Sequence, residues 1–235
     1  MTEHTIKRFE DELNLLKERI MAMGGLVEKA VRRSTNSVLQ LDSDKAQKVV
    51  DRDRAINALE VEIDNMTRSL LALRQPAASD LRLIIATIKI VTDLERSGDL
   101  AEGIAESMLQ NDEHPLTHTS TLESMTDLVL EQLRNSLDAF AHNDLEAALK
   151  CIEQDKKVNK MYKTMQRENL TYMLEDPRQI TSGLFASTIG KNLERIGDHA
   201  VNISEMVIYM VKGHDVRHVD HKTAAALLRG DMDDD

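Results

Sequence analysis

Along most of this chain apolar side chains recur three and four residues apart, the spacing that gathers them on one face of an α-helix. Leu13, Leu16, Ile20, Met23, Val27, Ala30 and Ser34 mark such a face in a first helix running from about Thr5 to Leu41. Gly24 and Gly25 lie inside it, where helix propensity is lost, so a kink or a close helix contact is expected there. Asp42-Ser43-Asp44 offers N-caps for a second helix ending near Arg74, and Gln75-Pro76-Ala77-Ala78-Ser79-Asp80 forms a tight corner into a third that ends near Gln110. Asn111 to Ser120, with Pro115, is the most loop-like stretch. Beyond it the plan recurs: one helix over about Leu122–Ala141, a turn at His142-Asn143-Asp144, a second helix ending near Glu175, a restart at Asp176-Pro177, and a last helix to Lys212 stopped by Gly213. His214 to Ala226 reads as a short helix, and Gly230 to Asp235 as an acidic, disordered tail.

The two halves repeat each other in residues as well as in plan. Leu94-Glu95-Arg96-Ser97-Gly98-Asp99 returns 99 residues later as Leu193-Glu194-Arg195-Ile196-Gly197-Asp198. Asp53-Arg54-Ala55-Ile56-Asn57 resembles Asp155-Lys156-Lys157-Val158-Asn159, and Gln75-Pro76 corresponds to Asp176-Pro177. Short connections place consecutive helices side by side, so the expected fold is all-α: two tandem, pseudo-symmetric antiparallel three-helix bundles. Residues 1–113 form the first bundle, 119–213 the second, and 214–235 a partly disordered C-terminal tail. A repeat of this length is able to hold its own core, unlike the short repeats of a solenoid.

Composition narrows the function. Aromatics are 3% of the 235 residues and Trp is absent, while three Pro and nine Gly leave little punctuation, which favours long helices. A net charge of -11 argues against nucleic acid and against an anionic membrane surface as partners. The single Cys151, on an apolar helix face, fits a reduced cytoplasmic setting, and no secretory leader or membrane-spanning run is visible.

The chemistry concentrates in the duplicated acidic pairs. Residues four apart stack on one helix face, so Glu95 with Asp99, and Glu194 with Asp198, either face water or hold something positive. Counting from the two corner prolines sets Asp53 level with Asp99 and Asn57 level with Glu95. In the second half Asp155 falls level with Asp198, and Asn159 with Glu194, to within a residue. Four oxygen-bearing side chains from two helices suit a hard cation: Mg²⁺, Ca²⁺, Mn²⁺ or iron. The Glu-x-x-His element of di-iron bundles is missing, since His199 directly follows Asp198. Gly98 and Gly197 each sacrifice about 1 kcal/mol of helix propensity, which a close helix approach beside the acidic pair would offset. A solvated face, with Arg96 and Arg195 pairing the acids, stays open on these residues alone.

Weaker features remain structural. Glu60 and Asp64 form another acidic pair, but Tyr162 and Gln166 stand at their second-half positions, so they read as a surface face or an accessory ligand in one half. His214, His218 and His221 read as a solvated tail, and Met161, Met165 and Met173 as core filler. There is no phosphate loop, nucleophile elbow or zinc spacing, so catalysis is not indicated. The alternative classes are a metal-dependent hydrolase or oxidase on a helical bundle, for which His199 is the one acid–base candidate near the pairs, and a metal-free structural interaction protein.

Taken together, Met21-Ala22-Met23-Gly24-Gly25, Arg74-Gln75-Pro76-Ala77-Ala78-Ser79-Asp80-Leu81-Arg82-Leu83, both Leu-Glu-Arg-x-Gly-Asp segments, Thr171-Tyr172-Met173-Leu174-Glu175-Asp176 and Val211-Lys212-Gly213 resemble the PhoU family of bacterial phosphate-transport accessory proteins over nearly the whole chain. The resemblance implies two similar three-helix bundles with metal-binding acidic signatures. It carries over Glu95 and Asp99, with Asp53 and Asn57 as partners, and Glu194 and Asp198, with Asp155 and Asn159. Asn57 and Asn159 stand where Asp also occurs in the family, each removing a negative charge. The implied cofactor is a divalent or ferric ion (Fe, Mn, Mg or Zn). The implied function is non-enzymatic: repression of the phosphate-starvation response and restraint of phosphate uptake. The implied partners are a phosphate ABC transporter and a membrane sensor histidine kinase, met in the cytoplasm by a homodimer.

Overall fold

A computed structural model of the chain describes residues 2–74, 76, 78–111, 115–116 and 119–216, with side chains from residue 7 onward. Gln75 and Ala77 of the corner, His218, His221 and the Gly230–Asp235 segment lie outside the described residues. Six long helices account for nearly all the rest: α1 (Thr2–Gln40), α2 (Ser43–Arg74), α3 (Ala78–Gln110), α4 (Ser120–His142), α5 (Leu145–Glu175) and α6 (Ile180–Lys212). A short 3₁₀ turn at Pro177–Gln179 leads into α6.

The helix ends have local causes. Asp42 accepts a hydrogen bond from the Lys45 amide at 2.9 Å, Asp144 one from the Ala147 amide at 3.0 Å, and Asp176 one from the Arg178 amide at 3.0 Å. Each supplies an acceptor for an N–H that the first turn leaves unpaired. Gly213, at φ 80°, closes α6 with its amide on the Tyr209 carbonyl at 2.8 Å. His214, Asp215 and Val216 follow without helix, so the short helix expected from His214 does not begin there; the remainder of that segment lies outside the described residues.

Helices α1–α3 form one three-helix bundle and α4–α6 the other, and the duplication extends into the core. Ile20, Met23, Val27, Val31 and Val38 of α1 are buried, and so are Leu122, Met125, Val129, Leu133 and Phe140 of α4, each 102 residues further on. The same holds for Ile90, Leu94 and Ile104 of α3 against Ile189, Leu193 and Ile203 of α6, at 99 residues. The bundles pack through α3 and α6, which run antiparallel: Arg82 donates to the Met210 carbonyl at one end, and Asp93 meets His199 and Asn202 further along. Buried apolar residues of both halves join in one contiguous cluster, so the two repeats share a core instead of keeping two separate ones. A Cβ on Gly24 would lie 2.5 Å from Leu137 Cδ1, which makes the glycine a site of close approach between α1 and α4 inside an unbroken helix.

The antiparallel α3–α6 pairing sends the two corners to opposite ends of the molecule. Each carries a largely exposed leucine, Leu73 (76%) and Leu174 (77%). Cys151 is fully buried, its thiol pushed up to about 11 by burial, and Met165 is core filler as expected. No helix among the described residues is long and apolar enough to cross a membrane.

Candidate metal centre

In both halves the middle and last helices approach closely at the glycine of the Leu-Glu-Arg-x-Gly-Asp segment. A Cβ on Gly98 would lie 3.0 Å from Ile56 Cδ1 and 3.4 Å from Asp53 Oδ1. One on Gly197 would lie 3.1 Å from Gln132 Oε1, 3.3 Å from Val158 Cγ1 and 3.7 Å from Asp155 Oδ1. The bare glycine faces therefore admit the opposing aspartates, at the depth that counting from the prolines gives them.

In the first half, carboxylate oxygens of Asp53, Asp99 and Glu102 lie within 4.8 Å of one another. Asp53 is only 7% exposed; Asn57 Nδ2 donates to its Oδ2 at 2.7 Å, while its buried Oδ1 has no hydrogen-bond partner. Burial first, then the charge of Asp99, pushes Asp53 above the ordinary carboxylate range against the help of Asn57. Glu102 is raised by burial and then by Asp53, Glu106 and Asp99. Glu95 is raised by burial and then by Asp99 and Glu60, and Glu60 by burial, Asp64 and Asp99. Repelling carboxylates that share a half-buried space, with one buried oxygen orphaned, fit a bound cation: each would regain the charge-compensating contact it lacks. The exposed Arg96, 3.6 Å from Glu95 and 3.5 Å from Asp99, supplies part of the neutralisation that a solvated face would use.

The second half keeps the frame and changes the filling. Asn159 Nδ2 donates to Asp155 Oδ2 at 2.6 Å, as Asn57 does to Asp53. Burial pushes Asp155 up, with Glu194 adding and the Gln132 amide opposing, and it pushes up Asp198, with Glu194 and Asp155 adding. Lys191 pairs with Glu194 and also lies over the Tyr162 ring, whereas the first half has Thr92 and Glu60 at those positions. Gln132 Nε2 sits 3.4 Å from the Cys151 carbonyl and 3.5 Å from Asp155 Oδ1, filling the space where the first half has only Ala30. Val201 stands where the first half has Glu102.

The structure thus brings Asp53 and Asp99 together as read from the chain, adds Glu102, and places Glu95 and Glu60 within electrostatic reach. Asn57 and Asn159 spend an amide donor on the neighbouring aspartate of their own helix. Glu102 was within reach of the helical pattern, lying three residues beyond Asp99 on the same face. Gln132 was legible only by laying α4 on α1. His199 does not serve the acidic pair: its Nδ1 sits 2.7 Å from Asp93 Oδ1 at the α3–α6 contact, where Asn202 also donates to Asp93 at 2.9 Å. No activated nucleophile adjoins either cluster among the described residues.

Known proteins share this fold. The profile of the PhoU domain matches twice, over residues 20–108 and 122–207. The phosphate-specific transport system accessory protein PhoU homolog of Pseudomonas putida is 45% identical over 98% of this chain and 91% of its own length. The phosphate-specific transport system accessory protein PhoU of Escherichia coli K12 is 38% identical over 98% of this chain and 96% of its own. The crystal structure of PhoU from Pseudomonas aeruginosa superposes with a TM-score of 0.84 at 44% identity, covering 88% of this chain and all of that one. The phosphate transport system regulatory protein PhoU from Streptococcus pneumoniae gives 0.83 at 30% identity, covering 88% of this chain and 99% of that one. These relatives are regulatory accessory proteins and not enzymes, and with two matched repeats on a shared fold, this chain belongs to the PhoU domain family.

Proposed function

We propose that this protein is a cytoplasmic negative regulator of the phosphate-starvation response and a modulator of phosphate uptake. It acts as an adaptor between a high-affinity phosphate ABC transporter and a sensor histidine kinase. The observation that carries the reading is nearly full-length similarity to accessory proteins of the phosphate-specific transport system, on a fold with no catalytic constellation among its described residues. An acidic all-helical chain without a membrane-spanning helix among those residues suits a protein that docks on cytoplasmic portions of both complexes, as a homodimer.

The acidic clusters hold divalent or ferric ions (Fe, Mn, Mg or Zn) that brace the helix pairs. Asp53, Glu95 and Asp99, with Asn57, serve the first half, and Asp155, Glu194 and Asp198, with Asn159, the second; Glu102 joins the first set. The orphaned Asp53 oxygen supports this assignment. Deleting the gene should switch on phosphate-starvation genes in high phosphate, and the transporter ATPase and kinase should co-purify with the tagged protein. Normal repression in the deletion strain would refute the regulatory role.

A further inference from the structure

The duplicated frame leaves an opening beside the first-half cluster. Beside Asp53 lies a cavity of about 280 Å³ between α1, α2 and α3. Ala30, Val49 and Ile56 contribute apolar wall, while Asp53 and Glu102 line it from the acidic cluster. Lys29, Arg33 and Arg52 line it as well, with no carboxylate within ion-pair distance of any of them among the described residues. At the equivalent place in the second half the Gln132 side chain reaches into the helix contact and directs its amide at Asp155. Position 30, in the cavity wall, is alanine where position 132 is glutamine. One polar group of the cavity is unsatisfied, the nine-tenths-buried Asp53 whose Oδ1 has no hydrogen-bond partner, and three exposed basic side chains, Lys29, Arg33 and Arg52, stand at its mouth.

We propose that the first-half site binds a tetrahedral oxyanion, held between a cation on Asp53, Asp99 and Glu102 and the basic side chains of Lys29, Arg33 and Arg52, while the second-half site is closed to exogenous ligands by Gln132. The inference rests on the metal assignment made above and gives it a ligand. A hard cation takes six or more oxygen ligands, and three carboxylates leave positions over. Asp53 and Glu102, two of the carboxylates that would hold the ion, also line the cavity, so an ion bound there would lie beside it. An oxyanion entering there satisfies the ion on one side and charge-assisted hydrogen bonds on the other. Inorganic phosphate and a phosphoryl group on a larger molecule offer the same chemistry, and the apolar wall gives the latter a place for its carbon portion.

The test measures metal and anion separately on the full-length protein. Protein is loaded with Mn²⁺, freed of excess ion, assayed for metal, and equilibrated with labelled orthophosphate by dialysis. Wild-type protein should bind roughly one phosphate per chain when loaded and far less when chelated. Ala30→Gln should keep its metal but weaken phosphate binding by about tenfold or more, and Gln132→Ala should leave it intact. The surface combination Lys29→Ala, Arg33→Ala, Arg52→Ala should weaken it similarly, without relying on a core substitution to fold. Tighter binding of phenyl phosphate assigns the ligand to an ester-borne phosphoryl group, and tighter orthophosphate to the free ion; either supports the oxyanion site. Metal retained with phosphate binding absent, or unchanged in Ala30→Gln and in the basic-residue variant, overturns the inference and leaves the metal assignment standing. Metal absent from the wild-type protein overturns both.

Discussion

The two acidic clusters are built on one frame, yet they differ in how they meet their own repulsion. The second half supplies internal compensation: Lys191 on Glu194, an amide from Gln132 near Asp155, tyrosine in place of Glu60, and valine in place of Glu102. The first half gathers Asp53, Glu60, Glu95, Asp99 and Glu102, with the exposed Arg96 near Glu95 and Asp99 and the basic Lys29, Arg33 and Arg52 around the adjoining cavity. A duplicated fold can therefore preserve helix geometry to the residue while assigning its copies different needs. The second half supplies more of its own compensation, although Asp155 and Asp198 are still pushed up by burial. The conserved frame is a matter of packing, set by Gly98 and Gly197; the difference is electrostatic, set by a few side chains around it.

The largest expected effect tests what the halves share. Leu94→Ala and Leu193→Ala remove equivalent, fully buried side chains, and each should cost about 3 kcal/mol of unfolding free energy in urea titrations. Because the core is continuous, unfolding should stay a single transition in both variants. A separate early transition of one half would show the repeats to be independent after all.

Next comes the contrast itself. Glu102→Val should weaken first-site divalent-ion binding by about tenfold or more, about 1.4 kcal/mol, and Val201→Glu should strengthen the second site in the same measure. Calorimetric titration with Mn²⁺ checks both, and equal insensitivity of the two sites would erase the distinction.

The smallest effect is on pH dependence without metal. Glu60, Glu95 and Glu102 are all held above their ordinary value of 4.5, mainly by burial. A raised folded-state value means that their contribution to stability is fully present below the unfolded value and is lost as pH rises through the folded one. The Tm of chelated protein should accordingly rise as pH falls from neutral toward 4.5. The partly exposed, ion-paired Glu12, Asp42 and Asp176 shift the opposite way, but pairs this close to solvent contribute little. Replacing the three glutamates by glutamine should flatten the profile more than Asp155→Asn with Asp198→Asn. An unchanged slope would show that the first half carries no more strain than the second.

Much of this was legible in the chain. Helix ends fell within a few residues of their observed positions because capping aspartates, Gly213 and the corner prolines act locally. The equal depth of Asp53 and Asp99 followed from counting, since an α-helix advances by a fixed rise per residue, whereas that they face each other is seen only in the structure. Glu102 was overlooked because it lies just outside the duplicated hexapeptide, and repetition drew attention to what both halves keep. The cavity could not be read at all. A void depends on which helix faces which and on volume absent at Ala30, and neither is a property of any single stretch of sequence.

The antiparallel course of α3 and α6 has a consequence for how large bodies can share this small protein. With 33 residues in α3, its two ends stand roughly 50 Å apart, and the exposed Leu73 and Leu174 sit at opposite ends of that span. Two assemblies docked there would not collide, and each would meet a related surface presented with reversed polarity. If the chain is the adaptor proposed above, occupying one end would leave the other free, and each partner would raise the local concentration of the other.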